Sequence, residues 1–399
     1  GRLSDLFGAR KIFMTGFAIL AAASLLAGLA WSPEVLNTGR ALQGLGSALI
    51  APAAMTLLMT TFTDPKELGK AFGLWGASAA AGGSAGVFLG GVITEWMDWR
   101  WVFFINIPIA LIVLAFCKNY FAAGKRSAGK IDWWGAVLAT GSLTLLVYAI
   151  VSAESAGWAS LQTTGLLMLS VFMFIFFLAS QKRKQSPLLP LHIFKTPNLS
   201  SGNIVMALMA ASWMPLWFFL NLYLQQILQF TAFNSGLALL PMTITIMIIM
   251  VGYTGKLVGR FGFKANLVAG LLSLAASALL FSTVSTNGSF LVSVLPASLL
   301  GAIGMSLAYI PATMAAMSAV KPEETGLASG IVNTSYQIGS AIGLALVAVL
   351  ASHVTKTSVA NAVAETEALN DGFKIAFLGA AALAGLGLLI AILKIKRPK

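Results

Sequence analysis

Few residues in this chain have the type and setting for chemistry, and the most pointed is Arg40. It lies within an apolar run of nearly thirty residues, 35–62. A charge inside a bilayer costs about 2.5–3.5 kcal/mol on insertion scales, so it calls for a partner or a watery cavity. Gln43 and Gly44 follow one turn later and share its helical neighbourhood. The plainer alternative is an arginine snorkelling from the helix end beside Glu34. Asp5 is the second candidate, set among Arg2, Arg10 and Lys11. A carboxylate there can latch onto bases or a helix N-terminus in one conformation and let go in another, or can simply be solvated.

Binding rather than bond-making is the chemistry of the remaining candidates. Trp213, Trp217, Asn221, Tyr223, Gln225 and Gln226 fall in one apolar run, with Trp75, Tyr309, Asn333, Tyr336 and Gln337 elsewhere. Such a mixture suits a wall that holds apolar or cationic solutes by stacking and cation–π contact. The alternatives are interfacial aromatic belts and hydrogen bonds between neighbouring helices; Trp99, Trp101, Trp133 and Trp134 fit a belt. Gly82, Gly86 and Gly90 are four residues apart, with Gly83 and Gly91 beside them. That spacing lets two helices approach closely and slide, or pack without gating.

Other chemistries are excluded. The zinc-protease motif is absent; the one Gly-x-Ser-x-Gly spelling, Gly82 to Gly86, lies inside an apolar run and not at a strand-to-helix elbow, and Gly124 to Lys130 is followed by Ile131 where a phosphate loop needs Ser or Thr, which argues against an enzyme and against ATP-driven transport. One cysteine, Cys117, makes no disulfide framework or cysteine metal cluster, and two histidines far apart in sequence, His192 and His353, suggest no metal site. No cofactor is expected, and no nucleic-acid partner despite a net charge of +12.

The elements that must position these residues are membrane helices. The 399 residues are 58% hydrophobic and 10% charged, against about 25% charged in soluble proteins. Apolar runs at 12–30, 35–62, 70–93, 99–117, 133–152, 161–180, 199–229, 234–254, 265–283, 290–317, 325–351 and 373–393 give twelve spans. Each should be a helix, because lipid leaves backbone groups no other partner. With this count, 21 of the 25 bases fall on the side of Gly1, three on the other, and Arg40 inside a span. The Gly1 loop and the C-terminus are therefore expected in the cytoplasm.

The chain also repeats. Gly1, Arg2, Leu3, Phe7, Gly8 and Arg10 recur as Gly255, Lys256, Leu257, Phe261, Gly262 and Lys264, both stretches reading as short basic loops. Gly259 replaces Asp5 in the second copy. Pro65, Glu67, Gly69, Ala71 and Gly73 recur as Pro322, Glu324, Gly326, Ala328 and Gly330, and the same shift of 257 carries Gly82 and Gly86 onto Gly339 and Gly343. Two spans precede the second copy and none the first. The repeat thus implies two further helices before Gly1, six per half, with the pair 133–152 and 161–180 between the halves. The halves read as 1–117 and 199–399, joined by 118–198.

On these residues the chain resembles the major facilitator superfamily, and most of all its bacterial fourteen-span drug:proton antiporters. Gly1 to Lys11, with Asp5, Gly8 and Arg10, is similar to the superfamily's signature loop after the second helix. Arg40, Gln43, Gly44 and Gly46 resemble the fourth-helix motif, whose arginine the family links to proton coupling. Gly82 through Gly91 resembles the fifth-helix antiporter motif, although Val87 stands where that motif has proline. Trp99 to Pro108, Tyr223-Leu224-Gln225 and Gly326 to Gly339 are similar to stretches of the fourteen-span group. The resemblance implies an all-α polytopic fold of two pseudo-symmetric halves, with twelve of fourteen spans in hand. It further implies proton-driven export of small lipophilic or cationic compounds from a monomer in the bacterial plasma membrane. An importer or facilitator on the same fold, or an inactive fragment, is the alternative. No Asp or Glu lies mid-span, so a coupling carboxylate is expected in the two preceding helices.

Overall fold

In the computed structural model, residues 2–62, 64–121, 132–184, 187–320 and 324–396 are described, and among them every regular element is helical. The helices are α1 (Arg2–Phe7), α2 (Ala9–Gly28), α3 (Pro33–Thr61), α4 (Pro65–Trp96), α5 (Trp101–Phe104), α6 (Asn106–Tyr120), α7 (Trp133–Ala156) and α8 (Leu161–Arg183). They continue with α9 (Leu199–Leu222), α10 (Ala232–Gly252), α11 (Thr254–Phe281), α12 (Leu295–Met317), α13 (Thr325–Ala360) and α14 (Glu365–Lys394). Ten helical segments of the described residues are long and apolar enough to cross a membrane, and Trp101–Cys117 is a shorter apolar one. The 32-residue α4 occupies the place of the remaining span.

Local chemistry sets several boundaries. Ser32 accepts a hydrogen bond from Val35 N ahead of Pro33, Asp132 from Gly135 N, and Ser160 from Thr163 N. Each satisfies one of the free N–H groups of a helix start. Gly157 stops α7 at φ 89°. One-turn π-helices, Tyr223–Ile227 and Phe290–Val294, extend α9 and precede α12.

Two sequence expectations change here. The run 99–117 is broken at Ile105 into α5 and α6. The second basic stretch is not a loop: residues 254–261 are helical, and the chain turns at Gly262, φ 77° and ψ 165°. Gly8 turns the first copy in the same way, at φ 90° and ψ 130°. Only glycine adopts such angles without Cβ strain, so a helical turn, a left-handed glycine and a long helix form one repeated device.

The chain divides into two compact units, Gly1–Ile131 with Thr231–Leu240, and Asp132–Phe230 with Pro241–Lys399. In the first, α2 and α3 meet at Gly16 and Gly46, where a Cβ on either glycine would lie 2.9 Å from the other's carbonyl oxygen. In the second, α11 and α12 meet the same way. A Cβ on Gly270 would lie 2.8 Å from Gly304 O, and one on Gly304 would lie 2.9 Å from Gly270 O. Lipid is as apolar as leucine, so close backbone approach and dispersion, not water exclusion, hold such pairs. The second unit is built round α9, where Val205, Met206, Met209, Leu216 and Leu220 are fully buried. It packs against α12, α13 and α14, and α7 packs on α13.

Candidate functional site

The two signature stretches share one hydrogen bond that their sequences do not announce. Arg10 Nη1 donates to Phe121 O, just past the end of α6, at 2.8 Å. Its counterpart Lys264 donates from Nζ to Ile392 O, in the last turn of α14, at 2.7 Å. The last carbonyls of a helix have no intrahelical donor, and the helix dipole favours a cation there. Each base therefore ties the start of one long helix to the end of the last helix of the same repeat. Lys11 is exposed, and Gly1 and the side chain of Asp5 lie outside the described residues.

Arg40 sits on an exposed part of α3 and has no acidic partner among the described residues. Its Nη1 donates to Gln43 Oε1 at 2.9 Å, and its guanidinium lies 5.9 Å from the centre of the Phe103 ring. Gln43 is buried and passes the contact inward, its Nε2 donating to Ser24 Oγ of α2 at 2.7 Å. A side-chain line thus runs from an exposed charge to a fully buried hydroxyl. Gly44 leaves open space beside it: a Cβ there meets nothing within 4 Å.

On α4, Gly82, Gly83, Gly86 and Gly90 also face open space. Gly91 does not, for a Cβ there would lie 2.9 Å from Ala232 O and 3.2 Å from Phe233 Cα. Trp75 is half-buried on the same helix, and the side chain of Val87 lies outside the described residues.

The second unit holds the other candidates. Trp213, Trp217, Asn221 and Gln225 recur every four residues along one half-exposed face of α9 and its π-turn. Asn221 Oδ1 accepts from Gln225 Nε2 at 3.2 Å. Tyr223 belongs to the opposite face. It is fully buried, and its hydroxyl donates to Ser285 O at 2.7 Å. Its expected place on a wet wall is therefore corrected to a structural tie between the end of α9 and the α11–α12 connection. Tyr309 of α12 and Tyr336 of α13 stand edge to face, ring centres 5.5 Å apart. Asn333 and Gln337 are exposed one turn apart on α13. A groove of about 380 Å³ opens between α9 and α13, with Phe194, Ile204 and Ile338 on its walls and Asn203 and Ser335 in its lining.

Three contacts escaped sequence reasoning. Asp132, nearly buried, is held by Lys184, by Gln181 at 2.8 Å and by Gly135 N at 2.7 Å, which ties α7 to α8. Burial raises its pKa, but these hydrogen bonds outweigh it and bring it down to about 2. His192 Nε2 lies 2.8 Å from Glu324 Oε1. Asn198, at φ 62°, donates to Lys396 O and accepts from Lys396 N. The only sequence sign was helix-cap spelling, Asp132 before Trp133; the other partners are more than a hundred residues apart.

The model of the Major Facilitator Superfamily matches residues 1–344. The chain belongs to that superfamily. As a facilitator it is a transporter rather than an enzyme. It is 36% identical over 398 residues to the puromycin resistance protein pur8 of Streptomyces alboniger, covering 98% of this chain and 79% of the relative. It is 34% identical over 368 residues to the cephamycin export protein CmcT of Amycolatopsis lactamdurans, covering 90% and 75%. The tetracenomycin C resistance and export protein of Streptomyces glaucescens is 35% identical over 352 residues, covering 88% of this chain and 65% of that protein. Among solved structures, the human organic anion transporter MFSD10 superposes with TM-score 0.66 at 16% identity, covering 98% of this chain and 78% of that one. The peptide transporter PepTSo superposes with TM-score 0.64 at 17% identity, covering 98% and 86%. The structures speak to the fold alone; both agree with an all-helical, multi-pass facilitator.

Proposed function

We propose that this facilitator exports lipophilic, often cationic, toxic compounds in exchange for protons. The observation that carries the reading is the likeness, over nearly the whole chain, to proteins named for antibiotic resistance and export. The half-exposed Trp213, Trp217, Asn221 and Gln225 face supplies stacking surface with amide groups between, which suits a planar or cationic solute.

In this reading the protein is of the fourteen-span type, with two helices ahead of Gly1 and a coupling carboxylate on one of them. The proton-motive force drives it, no cofactor takes part, and a monomer in the bacterial plasma membrane works by alternating access. The bias of bases toward one side supports a cytoplasmic Gly1 stretch and C-terminus. Arg40 serves coupling through its contact with Gln43, and Asp5 serves the switch between states.

The test is drug-induced proton release in inverted vesicles carrying the full coding frame. Efflux that a protonophore abolishes is expected. Efflux that persists with the gradient collapsed would leave a facilitator, and uptake into cells down the same gradient would make the protein an importer.

A further inference from the structure

The connector between α8 and α9 is pinned to the second unit by contacts that lie apart from the solute-facing residues. Its short helical turn, Leu191–Lys195, sends Ile193 into a fully buried cluster with Leu199 of α9 and Ala328 of α13, beside Met317 and Val320 at the end of α12. Further on, Asn198 grips the Lys396 backbone past the end of α14. One residue before Ile193, His192 Nε2 meets Glu324 Oε1 at 2.8 Å. Glu324 stands at the N-cap of α13, yet its side chain caps no N–H there. Its carboxylate is turned to His192 instead. The pair is not a property of the repeat. Glu67, 257 residues earlier at the start of α4, is exposed and has no basic partner among the described residues.

The charges around His192 can be named element by element. α9 and α12 carry none. α13 offers Glu324, its next charge being Lys356 near the far end. α8 ends on Lys182, Arg183 and Lys184, the last engaged with Asp132. α14 ends on Lys394, with Lys396 just beyond, and the turn itself carries Lys195. Lys321 and Glu323 lie outside the described residues. Of these side-chain types only histidine ordinarily changes charge between pH 5 and 8.

We propose that His192 and Glu324 form a proton-operated clasp. Neutral imidazole makes this contact in one tautomer alone, whereas imidazolium makes it as an ion pair. Acid on this side of the membrane therefore tightens the hold of the connector on the start of α13, and alkali loosens it. Helices that slide between transport states must move their ends, so acid here slows the cycle. Lys264 holds the same end of α14 that Asn198 grips, which puts the clasp on the side of the basic stretches. In the exchange reading proposed above, protons arrive on that side and the clasp brakes over-acidification. It rests on that reading for its physiological sense, not for its chemistry. His192 is 67% exposed and Glu324 24%. Water thus screens the pair, and the effect is a trim of about two- to five-fold rather than a lock.

The test is amide hydrogen exchange on the full coding frame in membranes, corrected for the intrinsic pH dependence of exchange. From pH 8 to pH 6, protection at Ile193 and in the first turn of α13 should rise about two- to five-fold in the wild type. His192→Gln, which donates but never charges, and Glu324→Gln should stay flat. His192→Arg, charged throughout, should hold the acid level at both pH values. A rise that persists in His192→Gln, or a His192→Arg variant indistinguishable from it, overturns the clasp. Drug counterflow with the same pH on both sides removes the driving force and reads the cycle alone. His192→Gln should outpace the wild type at pH 6 and match it at pH 8; equal rates at both overturn the brake. If exchange and counterflow follow these expectations in a protein whose efflux ignores a protonophore, the proton-exchange reading falls and the clasp stands.

Discussion

The side-chain line Arg40, Gln43 and Ser24 makes a quantitative prediction. Gln43→Leu removes an acceptor from Arg40 and a donor to Ser24, with little change in volume. Ser24 is fully buried, so its hydroxyl loses its partner without gaining water. An orphaned buried polar group costs about 1–3 kcal/mol. Arg40 is exposed and finds water instead, so its lost bond adds little. Gln43→Leu should therefore destabilise the first unit by about 1–3 kcal/mol. Ser24→Ala alone strands the Gln43 amide and should cost about 1 kcal/mol. The double variant, apolar at both places, should recover much of the sum, giving a coupling of at least about 0.5 kcal/mol. Thermal unfolding of the four proteins in one detergent reads that coupling, and drug efflux is followed in parallel. Strict additivity would show that the 2.7 Å contact contributes nothing specific. Wild-type efflux by Gln43→Leu would separately remove the coupling role given to Arg40 through it.

Further predictions follow from the other contacts. Lys264→Ala frees the Ile392 carbonyl, so hydrogen exchange in the last turn of α14 should quicken, by the equivalent of about 0.5–1.5 kcal/mol; Arg10→Ala should do the same at the end of α6, and unchanged exchange in both would deny the shared tie. Asp132 has a lowered folded pKa of about 2. The stability it gives the α7–α8 pair is thus full above its unfolded value near 4 and lost as pH falls through about 2, roughly 2 kcal/mol in all; Asp132→Asn should be less stable at neutral pH and nearly indifferent to acid over that window. Tyr223→Phe should cost about 0.5–1.5 kcal/mol of stability through the lost bond to Ser285 and leave drug affinity unchanged; a large affinity loss would return Tyr223 to the binding wall.

Helical class, ten of the twelve expected spans and the internal repeat were legible in the chain itself, because each rests on short-range rules. Lipid forces an apolar run to be helical, and duplication copies letters that can be aligned by eye. The family motif at Arg40 was legible for the same reason. Its inward partner was half legible: Gln43 stands one turn away, but Ser24 is on another helix. Tyr223 shows the limit. It reads as part of an aromatic and amide cluster, but two residues on from Asn221 it falls on the other side of the helix, in line with the buried Leu216, Phe219 and Leu220. Grouping residues by type within a run ignores the face each one takes, and which face is buried depends on the helices packed against it.

The sequence by itself determined that this is a duplicated membrane protein of helices, since hydropathy, base placement and repeated motifs need no third dimension. Only the tertiary structure decided what the repeated residues do. It showed that Gly262 turns a helix rather than sitting in a loop, and that Arg10 and Lys264 both cap a final helix. It showed too that the glycines of α13 are closed upon α9 while those of α4 stand open. The reason is range: hydropathy is summed along neighbours in the chain, whereas a carbonyl 128 residues from its donor is found only by folding.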